Sequence, residues 1–156
     1  MSYFIGELNF APRGVEDKEW RLEQPYGLKY RNYLIIAREN VTTDGASIPK
    51  FMWPFLGPPL GDENAFWAIF HDAGYRNYAL VFDLRKTILN AEFLFWDYSA
   101  GQLHNRAVTG PFDRKWWDKM ARDGSMRAAG CSRWKRRMVY WGVRLGGWKS
   151  WHKNKT

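Results

Sequence analysis

"EWRLEQPYGLKYRNYLIIAREN", residues 19 to 40, sets the architecture of this chain. Its β-branched and aromatic runs are short and punctuated by Pro25, Gly27 and Asn32, a pattern of strands and turns. With the similar pattern back to Tyr3, it predicts a small antiparallel β-meander over residues 3–42. Downstream, "TTDGASIPKFMWPFLGPPLGDEN" carries Gly45, Pro49, Pro54, Gly57, Pro58, Pro59 and Gly61. Residues 43–61 are therefore expected to form a long ordered loop. Loops of that length are uncommon unless they serve a function.

From Asp62 the spacing becomes helical. Asp62 suits the cap of a helix starting near Glu63, with Phe66, Ile69, Phe70 and Ala73 at helical intervals. "VFDLRKTILNAEFLFWDYSAGQ" reads as a second helix ending at Gly101, and "FDRKWWDKMARDGSMRAAG" as a third ending at Gly130. In a fourth, "SRWKRRMVYWGVRLGGW", Trp134, Met138, Trp141, Leu145 and Trp148 fall on one stripe. Strands first and helices later is an α+β order. The expected organisation is one domain, 1–156, with about four helices bundled over 62–148 and a basic tail over 149–156. There is no internal repeat, low-complexity tract or clear interdomain linker.

A chain of 156 residues can bury a core without metal or disulfide staples. Its aromatic content of 18%, with ten Trp, exceeds what a core usually requires, so some rings are expected at a surface. Cys131 is the only cysteine, which rules out an internal disulfide and implies no oxidising compartment. "MSYFIGELNF" lacks the basic and apolar regions of a signal peptide, and no stretch approaches the roughly 20 apolar residues of a membrane span. A cytoplasmic origin is the resulting expectation.

The formal net charge of +8 is unevenly placed. From Ser132 to the end there are eight Lys or Arg and no acid, whereas residues 1–131 carry sixteen of each sign. Such a region suits an anionic partner, nucleic acid or phospholipid head groups, although a basic helix face is often only a solvated one. A Trp stripe with neighbouring cations suits a membrane interface. The same stripe is also how a terminal helix packs on a core with Arg136, Arg137 and Arg144 facing water, and that reading is preferred. Beyond Gly147, Trp148, Lys149, Trp151 and Lys153 are the residues expected to meet an interface.

Within the first helix, "FHDAGYRNY" (Phe70 to Tyr78) sets His71 beside Asp72 with Tyr75 one turn on. His71 and Tyr75 share a face, while Asp72 points about 100° round. A lone mid-helix histidine is more often structural than catalytic. Metal-dependent phosphohydrolases of the HD type need an upstream histidine ligand, and the other histidines here are His104 and His152, so that chemistry is excluded. One cysteine and three scattered histidines give no zinc spacing either.

"HDAGYRNY" resembles the active-site helix of prokaryotic secreted phospholipases A2, and "TTDG" resembles their calcium loop. The chain as a whole is more similar still to a small family of phage and bacterial proteins of unknown function. That likeness rests on "TDGASIP" (Thr43 to Pro49), "HDAGYR" (His71 to Arg76), "RKWWD" (Arg114 to Asp118) and "VRLGG" (Val143 to Gly147), and covers residues 25 to 148. The phospholipase resemblance implies that Asp44, Asp72 and the Gly45 carbonyl bind Ca²⁺, a hard cation suited to oxygen donors. It implies that His71 takes a proton from a water attacking an ester carbonyl, while the cation stabilises the oxyanion. An Asp on another helix would orient the imidazole, supported by Tyr75. Counting four residues on from a basic residue, Lys86 leads to Asn90 and Arg114 to Asp118; Asn90 has no charge to offer, so Asp118 is preferred. That choice makes residues 79–112 an insertion. Trp116 and Trp117, beside Asp118, could close a site or fill the core. Unlike the secreted enzymes, this chain has a single cysteine and so no internal disulfide, and no signal peptide is expected.

Two main functions compete. One is a Ca²⁺-dependent hydrolase of a phospholipid ester. The other is a virion or tail-associated phage structural protein without catalysis, located in the host cytoplasm or the particle. Nucleic-acid binding by the basic C-terminal region ranks last, because the resemblance gives it no support.

Overall fold

The computed structural model describes residues 1–12, 20–44, 53–57, 62–76, 78–102 and 112–146. Among these residues, seven short strands form two antiparallel sheets. The larger has the order β1 (Tyr3–Ile5), β4 (Tyr26–Tyr30), β5 (Tyr33–Ala37) and β7 (Ala79–Asp83). The smaller has the order β2 (Phe10–Pro12), β3 (Trp20–Leu22) and β6 (Thr42–Thr43). Helices α1 (Trp53–Leu56), α2 (Asp62–Tyr75), α3 (Ala91–Ser99), α4 (Arg114–Met120), α5 (Met126–Ala128) and α6 (Arg133–Gly146) complete the described elements, with a 3-10 turn, Leu84–Lys86, after β7 and a π-helical turn, Ala121–Ser125, joining α4 to α5. The class is α+β, as the order of strand and helix patterns predicts.

The continuous apolar run of β5 follows from its position, because both faces of the large sheet are covered. Ile35 and Ala37 join a core with Ile69, Phe70 and Ala73 of α2 and with Trp117 and Met120 of α4. Leu34 and Ile36, pointing the other way as alternate strand residues must, join Phe82 of β7 and Leu94, Phe95 and Tyr98 of α3. Thus α2 with α4 and α3 lie on opposite faces of the sheet. A third cluster, including Leu56, Trp67, Met126, Cys131 and Val139, seats α6 against α2 and the π-helical turn.

Several expectations need correction. The expected loop over 43–61 is not free of regular structure: Thr43 belongs to β6 and Trp53–Leu56 form α1, while residues 45–52 and 58–61 lie outside the described residues. The second helix, expected from Val81, begins only at Ala91: residues 81–83 belong to edge strand β7, paired with β5 from Ala37↔Ala79 to Tyr33↔Asp83, and Leu84–Lys86 form a single 3-10 turn. A short apolar run of five residues fits a buried strand as well as a helix, and pairing with β5 decides it. Gly27 does not break its strand: it lies inside β4, where the Phe95 ring occupies the space of a side chain. The α6 stripe does not pack on the core. Trp134, Met138, Trp141 and Leu145 are 53%, 39%, 62% and 81% exposed, whereas Val139 is buried and Val143 half-buried. α3 and the α4–α5 segment are followed by Gly101 and Gly130 in left-handed backbone, as expected of helix ends.

Candidate functional site

Two pairs of residues, each one turn apart on α2 and the residue that follows it, bind two different elements. His71 and Tyr75 reach α4. His71 Nε2 lies 3.1 Å from Asp118 Oδ1, and the Tyr75 hydroxyl donates to the same oxygen at 2.6 Å. Asp72 and Arg76, 100° round the helix, hold β6. Asp72 Oδ2 accepts from the Thr43 hydroxyl at 2.5 Å, and Arg76 Nη1 donates to the Thr42 carbonyl at 3.0 Å and the Thr42 hydroxyl at 2.7 Å. The helical period alone therefore divides the site into a buried side and a loop side.

Asp118 is almost wholly buried and is satisfied by four side chains. Besides His71 and Tyr75, Arg144 Nη1 donates to Oδ2 at 3.0 Å, and Arg114 Nε lies 3.8 Å from that oxygen. Arg114 also donates through Nε to the Tyr75 hydroxyl at 3.1 Å. Its Nη2 reaches the Val143 and Arg144 carbonyls at 2.8 and 2.6 Å, satisfying acceptors in the last turn of α6. Gly74 makes the approach feasible: a Cβ there would lie 2.2 Å from the Trp117 indole, so only glycine lets α4 settle this close to α2. Trp117 fills the core, and Trp116 joins an aromatic cluster with Phe112 and Tyr33.

The electrostatics follow from these contacts. Burial alone would lower the His71 pKa, but hydrogen bonds and charge from Asp118 and Asp72 outweigh it and raise the value above 6.5. Burial pushes Asp118 up, yet its bonds to His71, Tyr75 and Arg144 bring it below the ordinary carboxylate range. Tyr75 is raised, first by burial and then by its bond to Asp118. A carboxylate accepts only, so Nε2 carries the His71 proton that Asp118 receives. The other ring nitrogen, Nδ1, lies 3.6 Å from Asp72 Oδ1 and is left with a lone pair in the neutral imidazole.

Of the metal-ligand candidates, Asp72 is half-buried and Asp44, one residue beyond Thr43, is exposed. Gly45 lies outside the described residues, as do Trp148, Lys149, Trp151 and Lys153. Among the described residues, no group of three or more His, Cys, Asp or Glu is arranged to hold a metal ion. The oxygen donors on the loop side are two carboxylates and the Thr43 hydroxyl, a set that matches a hard cation in kind. Asn90, the competitor of Asp118, instead caps α3 on the far face of the sheet, accepting from the Phe93 amide at 2.8 Å. Sequence reasoning left Thr43, Gly74, Arg114 and Arg144 without roles, although all four lie in the quoted motifs. Arg144, expected to face water, is bonded to Asp118.

No described helix is long and apolar enough to cross a membrane. No curated protein and no solved structure matches the chain. A family model described as "Protein of unknown function (DUF1353)" matches residues 20–143, a span that runs from β3 into α6 and takes in every residue of the Asp118 network except Arg144. The chain therefore belongs to the DUF1353 family of proteins of unknown function.

Proposed function

We propose that this protein hydrolyses a phospholipid ester, with His71 as the base that activates water. The observation that carries the reading is the buried contact of 3.1 Å between His71 Nε2 and Asp118 Oδ1, which leaves Nδ1 on the side of Asp72. Nδ1 takes a proton from water as the water oxygen bonds to the ester carbonyl carbon. The proton then passes to the alkoxide as the C–O bond breaks. Asp118 fixes the tautomer and stabilises the imidazolium, and Tyr75 and Arg144 hold Asp118 in place and ionised. A Ca²⁺ ion held by Asp44, Asp72 and the Gly45 carbonyl would supply polarisation of the ester carbonyl. The resemblance of "HDAGYRNY" to the phospholipase A2 helix supports this choice of chemistry.

The test is fatty-acid release from phospholipid with Ca²⁺, with chelator, and in His71→Ala. Removal of the base is expected to lower turnover by about 10²–10⁴-fold, and chelation to lower it as well. Full activity in His71→Ala or in chelator would sink the proposal.

One observation favours a second reading, a phage virion or tail-associated structural protein. Arg114 and Arg144 make the same network a clasp that ties the end of α6 to the core, a role that needs no substrate. Inactivity of the wild type together with a stoichiometric place in purified particles would favour it.

A further inference from the structure

The basic side of α6 forms a second candidate site, at the opposite end of the helix from Asp118. Arg122, Asp123, Arg133, Arg136 and Arg137 line a cleft of about 340 Å³. Asp123 is already engaged, with both oxygens accepting from Arg122 at 2.7 Å, and Arg122 is further braced over the Tyr140 ring at 4.6 Å. Beyond the Arg122–Asp123 pair, the cleft thus carries three guanidiniums, those of Arg133, Arg136 and Arg137. Arg136 gives one arm to the Arg122 carbonyl at 3.5 Å, while its buried Nε has no hydrogen-bond partner among the described residues. Arg136 as a whole is half-buried, and a guanidinium with an unmet buried donor beside other arginines suits an anion with several acceptor oxygens.

The neighbouring surface indicates where that anion comes from. At 100° per residue, Arg133 and Arg137 lie on the edge of the exposed stripe formed by Trp134, Met138, Trp141 and Leu145. No acidic residue occurs in α6 or from there to the end of the sequence. Indole rings on an apolar face bordered by arginines match the head-group layer of an anionic bilayer, whereas a soluble phosphate would need no such face. We propose that this cleft binds the phosphate of an anionic phospholipid, with the Trp face of α6 seated in the same membrane surface. The proposal concerns docking and stands whether or not His71 is a catalyst.

The experiment is co-sedimentation of the full chain with vesicles of ether-linked phosphatidylglycerol in phosphatidylcholine, which have no acyl ester to cleave, against phosphatidylcholine alone. The wild type is expected to partition onto the anionic vesicles. Arg133→Gln with Arg137→Gln should lower that partition on the order of tenfold, as should Trp134→Ser with Trp141→Ser. All four residues are exposed, so melting temperatures should stay near the wild type, and an Arg136→Gln variant that fails to fold does not affect the test. Vesicle binding indifferent to the arginine pair overturns the proposal. So does binding of inorganic phosphate, of an oligonucleotide, or of a second copy through the Trp face, if it occurs without vesicle binding.

Discussion

The two faces of the large sheet are built on opposite principles. On the α3 face, Leu34, Ile36, Phe82, Leu94 and Phe95 form an apolar core in which shape alone matters. On the α2 face an apolar core of similar make-up adjoins five polar side chains, His71, Tyr75, Arg114, Asp118 and Arg144, joined by direct contacts. An apolar layer tolerates replacement in proportion to lost volume. A buried polar network responds differently, because deleting one member strands the others. Elaborate satisfaction of one carboxylate is more than packing requires, and it makes the α2 face the place to look for function.

The sharpest way to break the comparison is to remove the centre of each face. Asp118→Ala is expected to destabilise the protein by about 3–5 kcal/mol, because two arginines and a histidine lose their buried counter-ion. Phe95→Ala should cost a similar amount, about 3–5 kcal/mol, through the cavity it leaves. Their pH dependence should separate them. The raised His71 pKa means that its contribution is fully present below pH 6.5 and is lost as pH rises through the folded value. The lowered Asp118 pKa means that its contribution is present above pH 3.8 and is lost as pH falls through the folded value. Phe95→Ala should lower the stability curve evenly across pH, whereas Asp118→Ala should flatten both limbs. Chemical denaturation from pH 3 to 9 reads the difference, and parallel curves for the two variants would refute it.

Next in size is Gly74→Ala. Its methyl group would overlap the Trp117 indole and push α4 from α2, at about 1–3 kcal/mol. The consequence specific to the α2 face is a weaker His71–Asp118 contact, visible as an imidazole pKa that moves back toward 6.5 in NMR titration. An unchanged titration with lowered stability would show that packing and site are independent.

Legibility in the sequence follows the same division. The strand-rich start, the helical second half and the glycine helix ends are local, and the amino-acid pattern carries them. The partnership of His71, Tyr75 and Asp118 is long-range and was visible only through motif resemblance; nothing in the helical period says which helix faces His71. Two local patterns misled. "ALVFD" is too short for its period to separate strand from helix, and the α6 stripe is apolar without facing the core. Periodicity shows that a helix has two faces, but not which is turned inward. In α6 the inner face is the modest one, Val139 and Val143 with the Arg144 head group, so the tryptophans are left outside.

The smallest expected effect tests the loop side of α2. Thr43→Val keeps the shape of a buried β6 residue but removes the hydroxyl that donates to Asp72. Loss of one hydrogen bond to a half-buried carboxylate should cost about 0.5–1.5 kcal/mol. Arg76 still grips Thr42 through two hydrogen bonds, so β6 should stay in register. The two readings of Asp72 then predict different patterns. If Asp72 belongs to a cation site, losing the Thr43 bond frees an oxygen yet unfixes the carboxylate, and Ca²⁺ should stabilise the variant by a different increment from the wild type. If Asp72 only anchors the strand, the thermal shift on adding Ca²⁺ is nil in both proteins, and the loop side is structural in the same sense as the α3 core.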